Sequence, residues 1–300
     1  MITRRGFLKL ATTAFASAAA LFGYGMVAEA MGTPRIRNYA FTPPRWTPGL
    51  KLRLVLLSDI HTTKRWMEID RVASICDTAN GLGGDMILLL GDYVNAMDEL
   101  GVPLPNDDIA ACLKRLSAPL GTHAILGNHD YWHSWNFTKD PRLMPKIGHA
   151  FEKAGIPLLI NDATRHEKDG KPFWLAGLGD QLAFHFQHPP GREDDGGVDD
   201  LPATLAKVTD DAPVILMAHE PDAFPDVPDR VSLTLSGHTH GGQVNIFGWS
   251  PAMNSRFGTR FRGGHIVENG RHLVVSRGLG CTTIPFRLGA WPEIVVLDIG

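Results

Sequence analysis

Apolar runs separated by helical spacing recur along the chain, and the runs end in the same kinds of polar residue. Leu52 to Leu57 is an apolar run that reads as a buried strand and ends in Ser58-Asp59-Ile60-His61. Glu68 to Ala79 then shows helical spacing (Ile69, Val72, Ala73, Ile75, Cys76, Ala79), with Asn80-Gly81 as its stop. Met86 to Leu90 predicts a second buried strand, leading into Gly91-Asp92-Tyr93-Val94-Asn95. Asp107 to Leu116 predicts a helix with acidic residues in its first turn, where the helix dipole favours them. His123 to Leu126 predicts a third strand, ending in Gly127-Asn128-His129-Asp130. A helix over Leu143–Ala154, strands over Ile156–Ile160 and Phe173–Ala176, and a short helix over Leu201–Val208 follow.

The run Val214–Ala218 delivers His219, and Val231–Leu235 delivers Ser236-Gly237-His238-Thr239-His240-Gly241-Gly242-Gln243. Strands over Gly264–Val267, Leu273–Val275 and Ile294–Leu297 complete the pattern, with Asn269-Gly270 as a hairpin turn. The polar, Gly/Pro/Asp-rich stretch 180–200 reads as a surface loop. Strands alternating with helices predict a largely parallel α/β sheet in the first half, and the strand-rich second half predicts another sheet packed on it. Ligands of such folds gather beyond the carboxyl ends of the strands.

The first 50 residues differ from this pattern. Thr3-Arg4-Arg5-Gly6-Phe7-Leu8-Lys9 is a twin-arginine signature, an Ala-rich apolar run covers Leu10 to Val27, and Ala28-Glu29-Ala30 offers a small-x-small cleavage site. Residues 1–30 are therefore expected to be a twin-arginine signal peptide, the competing reading being a basic start plus a membrane anchor. Residues 31–50, with four Pro and no apolar period, predict an extended arm, and residues 51–300 a single domain. The expected location is outside the cytoplasmic membrane, in the periplasm or cell envelope, with the twin-arginine export machinery as a partner.

Composition narrows the function by exclusion. A net charge of -3 gives no electrostatic case for a specific nucleic-acid partner. Three Cys (Cys76, Cys112, Cys281) are an odd number without metal-type spacing, so neither a disulfide framework nor a thiolate site is expected.

The chemistry lies in the strand exits. Asp59 with His61, Asp92, Asn128 with His129, His219, and His238 with His240 each follow a predicted strand. An Asp or Asn after a strand usually caps a turn, but the joint recurrence of Asp, Asn and His at five strand exits points to a shared site. Two His two residues apart, flanked by Gly that tolerate unusual backbone angles, suit two adjacent metal ions.

Asp59-x-His61, Gly91-Asp92, Gly127-Asn128-His129-Asp130, His219 and Gly237-His238-x-His240 together resemble the ordered motif set of the calcineurin-like metallophosphoesterases. Gly241-Gly242-Gln243, Ser276-Arg277-Gly278-Leu279-Gly280 and the stretch from Ile284 to Ile294 are similar to the exported bacterial YkuE/YaeI-like phosphodiesterase group. The resemblance implies a four-layer α/β/β/α sandwich and a pair of divalent ions. Asp59, His61, Asp92 and His240 would hold the first ion, and Asp92, Asn128, His219 and His238 the second, with Asp92 bridging. Carboxylate and amide oxygens with imidazoles suit Mn²⁺, Fe or Zn²⁺, and Mn²⁺ is favoured.

The implied reaction is phosphodiester hydrolysis by a metal-bridging hydroxide, with His129 as the catalytic side chain outside the ligand set. The alternatives are a phosphomonoesterase on the same site and a non-catalytic exported metal-binding protein. Asn95 departs from the family pattern, which often has Asp there to pair with the catalytic His, and Asp130 is the expected substitute. The implied substrate is a small-molecule or lipid-linked phosphate ester, with peripheral membrane contact compatible with the leader. Tyr131, Trp132, Trp135 and Phe137 are candidates for a cleft wall, and Arg260, Arg262, Arg277 and Arg287 for phosphate contacts.

Overall fold

The computed structural model describes residues 3–95, 102–134, 144–185, 196–251 and 253–300. Two sheets stack face to face. The first has the order β1-β11-β2-β3-β4, built from Arg35–Phe41, Glu293–Ile299, Leu52–Leu57, Met86–Leu89 and Thr122–Ala124. The pairs β1–β11, β2–β3 and β3–β4 are parallel, and β11–β2 is antiparallel. The second has the order β5-β6-β7-β8-β10-β9, built from Asp162–Lys168, Lys171–Gly177, Val214–Met217, Leu233–Ser236, Arg271–Val275 and Gly264–Glu268. Its three inner pairs are parallel and its two outer pairs antiparallel.

Strand pleating assigns each residue to a layer, because successive side chains point to opposite faces. From β2 and β3, Leu54, Leu56, Met86 and Leu88 meet Phe173, Leu175, Ile215, Met217, Leu233 and Leu235 of the second sheet in the central core. Val55, Leu57, Ile87 and Leu89 face the other way, onto helices α2 (Ile69–Gly81), α3 (Asn106–Leu113) and α5 (Lys146–Ala154). Beyond the second sheet, Trp174, Ala176, Val214 and Leu216 pack against Leu201 and Leu205 of α6 (Leu201–Ala206). The layers run helix, sheet, sheet, helix. Each fully buried Leu, Val or Ile contributes roughly 1.5–3 kcal/mol relative to exposure, so the two inner faces fix the stacking.

Three stretches differ from the pattern expected of them. Ile156–Ile160 is no strand: Pro157 lacks an N–H, and the stretch makes only a single bridge, Ala124 to Leu158, at the edge of β4. The neighbouring Asp162–Lys168, polar apart from Ala163, is the strand instead, at a sheet edge where few residues need burial. Within the expected surface loop 180–200, Asp180, Ala183 and Phe184 are buried, and residues 186–195 lie outside the described residues. The Pro-rich arm contributes β1, which extends the first sheet beside β11.

Candidate metal centre

The strand exits of both sheets open at one end of the sandwich. Asp59 and His61 follow β2, Asp92 follows β3, and Asn128 and His129 begin the short helix α4 (Asn128–Trp132) after β4. His219 follows β7, and His238 and His240 follow β8. All eight side chains are buried. Asp59, His61, Asp92, His238 and His240 all have positive φ (52°, 47°, 58°, 68° and 51°), a region that non-glycine residues occupy at a cost and that clusters at functional sites. Gly91 shows why small neighbours are needed. With φ 96°, a Cβ there would lie 2.6 Å from the Gly127 nitrogen and 2.7 Å from His219 Nδ1.

The seven residues expected to bind metal converge. Asp92 Oδ2 lies 3.4 Å from His61 Nε2 and 3.2 Å from His219 Nε2. His240 Nε2 lies 3.0 Å from His61 Nε2 and 3.4 Å from Asp59 Oδ1. His238 Nδ1 lies 3.0 Å from Asn128 Oδ1. Two groups with ligand atoms within 4.8 Å of one another result, Asp59/His61/His240 and Asp92/His219/His238. A third group, His61/Asp92/His129, places His129 at the junction of the two.

Backbone groups orient these side chains. His61 Nδ1 stands 3.2 Å from the Val94 carbonyl and His219 Nδ1 2.7 Å from the Leu90 carbonyl. Donation of Nδ1–H to a carbonyl leaves Nε2 with its lone pair directed inward, the tautomer a metal ligand needs. The His238 N–H donates to both Asp59 oxygens (2.9 and 3.1 Å), and the His129 N–H donates to Asp92 Oδ1 (2.9 Å). Asp92 Oδ2 is left for the centre.

The residues present fit a pair of cations. His238 Nε2 is buried without a hydrogen-bond partner, an arrangement that costs about 1–3 kcal/mol unless something else occupies it. Burial lowers His61 to about 3 and His129 to about 4, so both rings are neutral. Burial pushes Asp59 up to about 7. Burial also acts to raise Asp92, but its charge interaction with His219 outweighs that and holds Asp92 well below the usual carboxylate range, while the same interaction outweighs burial at His219 and holds it well above the usual imidazole range. Carboxylate and amide oxygens crowded together with imidazoles and no thiolate are the donor set of divalent, oxygen-preferring or borderline metals.

The pattern described as calcineurin-like phosphoesterase matches residues 52–242. The chain belongs to this family. Phosphoester hydrolysis is the activity that the family carries. The chain is similar to the metallophosphoesterase YkuE of Bacillus subtilis, 29% identical over 82% of this chain and 78% of that protein. It is 30% identical to the phosphodiesterase YaeI of Escherichia coli over the whole of both. A transmembrane protein with metallophosphoesterase domain from Danio rerio is 30% identical over 92% of this chain and 59% of that one.

In this phosphoesterase a cavity of about 940 Å³ opens onto the centre, lined by Asn128, His129, His238 and His240 together with Trp132, Leu182, Glu220 and Met253. Of the expected aromatic wall, Trp132 lines the cavity and its indole N–H donates to the Leu182 carbonyl (2.9 Å), whereas Tyr131 is buried in the core. Trp135 and Phe137 lie outside the described residues. None of the four candidate phosphate-binding arginines is among the described residues that line the cavity. Arg260 pairs with Glu268 (2.9 Å), the Arg262 guanidinium holds the Gly248 carbonyl, and Arg277 Nε stands 4.0 Å from Glu293. Arg287 is wholly buried behind the metal centre. Its guanidinium donates to the carbonyls of Arg277 (2.9 Å), Ala290 (2.8 Å) and Gly280, with Nη2 3.1 Å from His240 Nδ1.

Asp130 also differs from expectation. Its carboxylate accepts the backbone N–H groups of Asp92 (3.0 Å), Tyr93 (2.9 Å), Val94 (3.3 Å) and Gly127 (2.9 Å), so it ties the β3 and β4 exits together. Sequence reasoning also passed over Glu220, buried beside His219, whose Oε1 has no hydrogen-bond partner and stands 4.0 Å from His238 Nδ1. Its only signal was adjacency to a predicted ligand.

Proposed function

We propose that this chain hydrolyses phosphodiesters outside the cytoplasmic membrane, using two divalent ions. Asp59, His61, Asp92 and His240 would hold one ion, and Asp92, Asn128, His219 and His238 the other. The observation that carries this reading is the position of Asp92 Oδ2, within 3.4 Å of ligand nitrogens from both groups. When bound, such a pair supplies Lewis-acid charge for the phosphoryl oxygens and a water ionised near neutral pH. Mn²⁺ is the ion to supply first. The catalytic domain in this reading runs over residues 51–300, with 31–50 laid along its edge and Arg4-Arg5 directing twin-arginine export to the periplasm or cell envelope.

The protein's own part is to position and to move a proton. His129 lines the cavity at the junction of the two ligand groups, its ring 4.6 Å from that of His61 and 4.9 Å from that of Trp132. In this role its neutral ring donates a hydrogen bond to the phosphoryl or leaving oxygen, takes a proton from the attacking water and returns it to the departing alkoxide. A diester is favoured over a monoester because the cavity has room for a substituent on each side of phosphorus, with Trp132, Leu182 and Met253 as apolar walls. The name of the E. coli relative supports the same preference.

Two measurements test the reading. Chelator-stripped protein resupplied with Mn²⁺ should cleave bis-nitrophenyl phosphate faster than mononitrophenyl phosphate, and the reverse order makes the enzyme a monoesterase. His129→Gln should lower kcat about 100-fold or more while elemental analysis shows an unchanged metal content. Unchanged turnover removes His129 from the reaction.

A further inference from the structure

The N-terminal helix and one exposed turn of the body flank the same segment, residues 286–289. Arg4–Glu29 is a continuous helical rod of 26 residues, α-helical over Arg4–Gly23 and π-helical over Tyr24–Glu29, and its α-helical part alone is about 30 Å long at 1.5 Å per residue, against a hydrocarbon core of about 30 Å. No residue of α1 (Arg4–Gly23) is buried, and Phe7, Leu8, Leu10, Phe15, Leu21 and Phe22 stand exposed. The last turns of the rod behave differently. Gly25 and Glu29 are buried. The Gly25 carbonyl accepts the Arg287 N–H (3.1 Å), the Glu29 carboxylate accepts the Gly289 N–H (2.7 Å), and the Phe22 ring stacks on Phe286 at 5.2 Å.

The Ala28-Glu29-Ala30 cleavage candidate is therefore coiled and covered. Glu29 is 6% exposed and Ala30 4%, and the Ala30 carbonyl accepts from Arg71 (3.1 Å). A peptidase that requires an open, extended segment does not reach it once the domain has folded, and twin-arginine export carries proteins already folded.

On its other side the segment holds a hairpin stem. The Asn245 N–H donates to the Leu288 carbonyl (2.7 Å), and Val244 bridges Leu288. Ile246 and Trp249 exchange N–H to carbonyl bonds (2.9 and 3.0 Å), leaving Phe247-Gly248 at the tip with φ of 49° and 93°. A left-handed conformation is unfavourable for a residue such as Phe, and Phe247, fully exposed, gains nothing from burial to offset it. Of the six exposed large apolar residues described outside the rod (Met31, Val102, Ile246, Phe247, Trp249 and Val267), three sit in this one turn. Grouping of that kind marks an interaction surface. The hairpin is also fixed at the rim of the active site, because Gln243 and Met253 on either side of it line the catalytic cavity.

We propose that residues 4–29 remain on the folded protein as a membrane anchor and that the Ile246-Phe247-Trp249 hairpin enters the same bilayer, seating the rim of the cleft on the lipid surface. Arg4, Arg5 and Lys9 keep the start of the rod on the cytoplasmic side, so the body lies on the opposite face. Aromatic side chains such as Trp249 are at home at the headgroup level. The ester offered to the cleft is then one that a bilayer carries, a lipid-linked phosphodiester. That consequence rests on the hydrolase reading, whereas the docking does not.

The three native cysteines are buried, so a single introduced cysteine can be labelled selectively. Full-length Phe247→Cys is labelled with nitrobenzoxadiazole and reconstituted into phosphatidylethanolamine/phosphatidylglycerol vesicles with or without spin-labelled acyl chains. Asp169→Cys, in the exposed turn between β5 and β6 at the far end of the strands from the site, serves as control. The label at 247 should shift to the blue and lose most of its emission to the quencher, the label at 169 should do neither, and the intact mass should include residues 4–29. A mature chain starting after residue 30 overturns the anchor. An unquenched label at 247 on vesicle-bound protein overturns the docking, as does a blue shift without lipid quenching accompanied by cross-linked dimers, which makes a second copy the occupant. Quenching is read without turnover, and Phe247→Ser with Trp249→Ser should leave cleavage of a soluble diester unchanged. Loss of the hydrolase reading is thereby distinguishable from loss of the docking.

Discussion

The two walls of the site are built on different principles. One wall consists of strand exits, where each ligand lies a few residues beyond a buried strand and is aimed by main-chain groups: the Val94 and Leu90 carbonyls behind His61 and His219, the His129 N–H on Asp92, and four N–H groups gathered by Asp130. The other wall, from Gly241 to Pro292, is largely loop and is held by side chains, with Arg287 bonded to three carbonyls and the Gln243 side chain accepting the Thr282 N–H (3.0 Å). The strand wall sets the chemistry because a sheet resists displacement of its ends. The loop wall sets what reaches that chemistry, and it carries both the cavity rim and the exposed hairpin. Rigid ends suit positions that tolerate little error, and loops on a rigid frame suit recognition.

The largest expected effect separates the walls. Asp92→Asn keeps an oxygen for the His129 N–H but removes the charge between the two ligand groups. Outer-shell partners of metal ligands already cost 10–100-fold, so loss of the shared ligand should lower kcat/KM more than about 100-fold. Elemental analysis should find less than one ion per chain while the melting temperature of the metal-free protein changes little. A variant that binds two ions and turns over normally breaks the assignment of Asp92 to both groups.

Arg287→Met reverses that profile and acts through the loop wall. It removes the guanidinium donor from three carbonyls, each bond worth about 1 kcal/mol. The melting temperature should fall by roughly 6–12 °C for a total of about 3 kcal/mol. Because Nη2 faces His240, metal affinity should also weaken about tenfold. A lowered melting temperature with unchanged metal affinity confines Arg287 to holding the loops together.

The strand wall was legible in the sequence for a physical reason. Strands buried on both faces must be apolar throughout, so polar groups appear only where the chain leaves the sheet, and Asp59, Asp92, Asn128, His219 and His238 mark those exits. What stayed hidden follows from side-chain direction. Asp130 beside His129 reads as its partner, yet from the first turn of α4 the carboxylate turns back onto backbone N–H groups. Arg287 reads as a candidate phosphate contact because sequence does not reveal the carbonyls of Arg277, Gly280 and Ala290 converging on it within the segment between β10 and β11. The edge strand Asp162–Lys168 lacks an apolar signal, since edge position spares it from burial. The hairpin tip escaped because Val244 to Trp249 offers no strand-length run, only an aromatic ahead of a glycine.

The smallest expected effect belongs to Arg260. Its guanidinium makes two hydrogen bonds with the Glu268 carboxylate along the exposed edge of the second sheet, and it is absent from the described lining of the cavity. Exposed pairs of this kind are screened by water and salt and hold little net energy. Arg260→Ala should therefore leave KM for a soluble diester within about twofold and the salt dependence of KM unaltered. A guanidinium that grips a phosphate behaves otherwise, because its removal raises KM and flattens the salt response together. If both changes appear with Arg260→Ala, and Glu268→Gln alters neither, the cleft extends to the β9 edge and the loop wall contributes charge as well as shape.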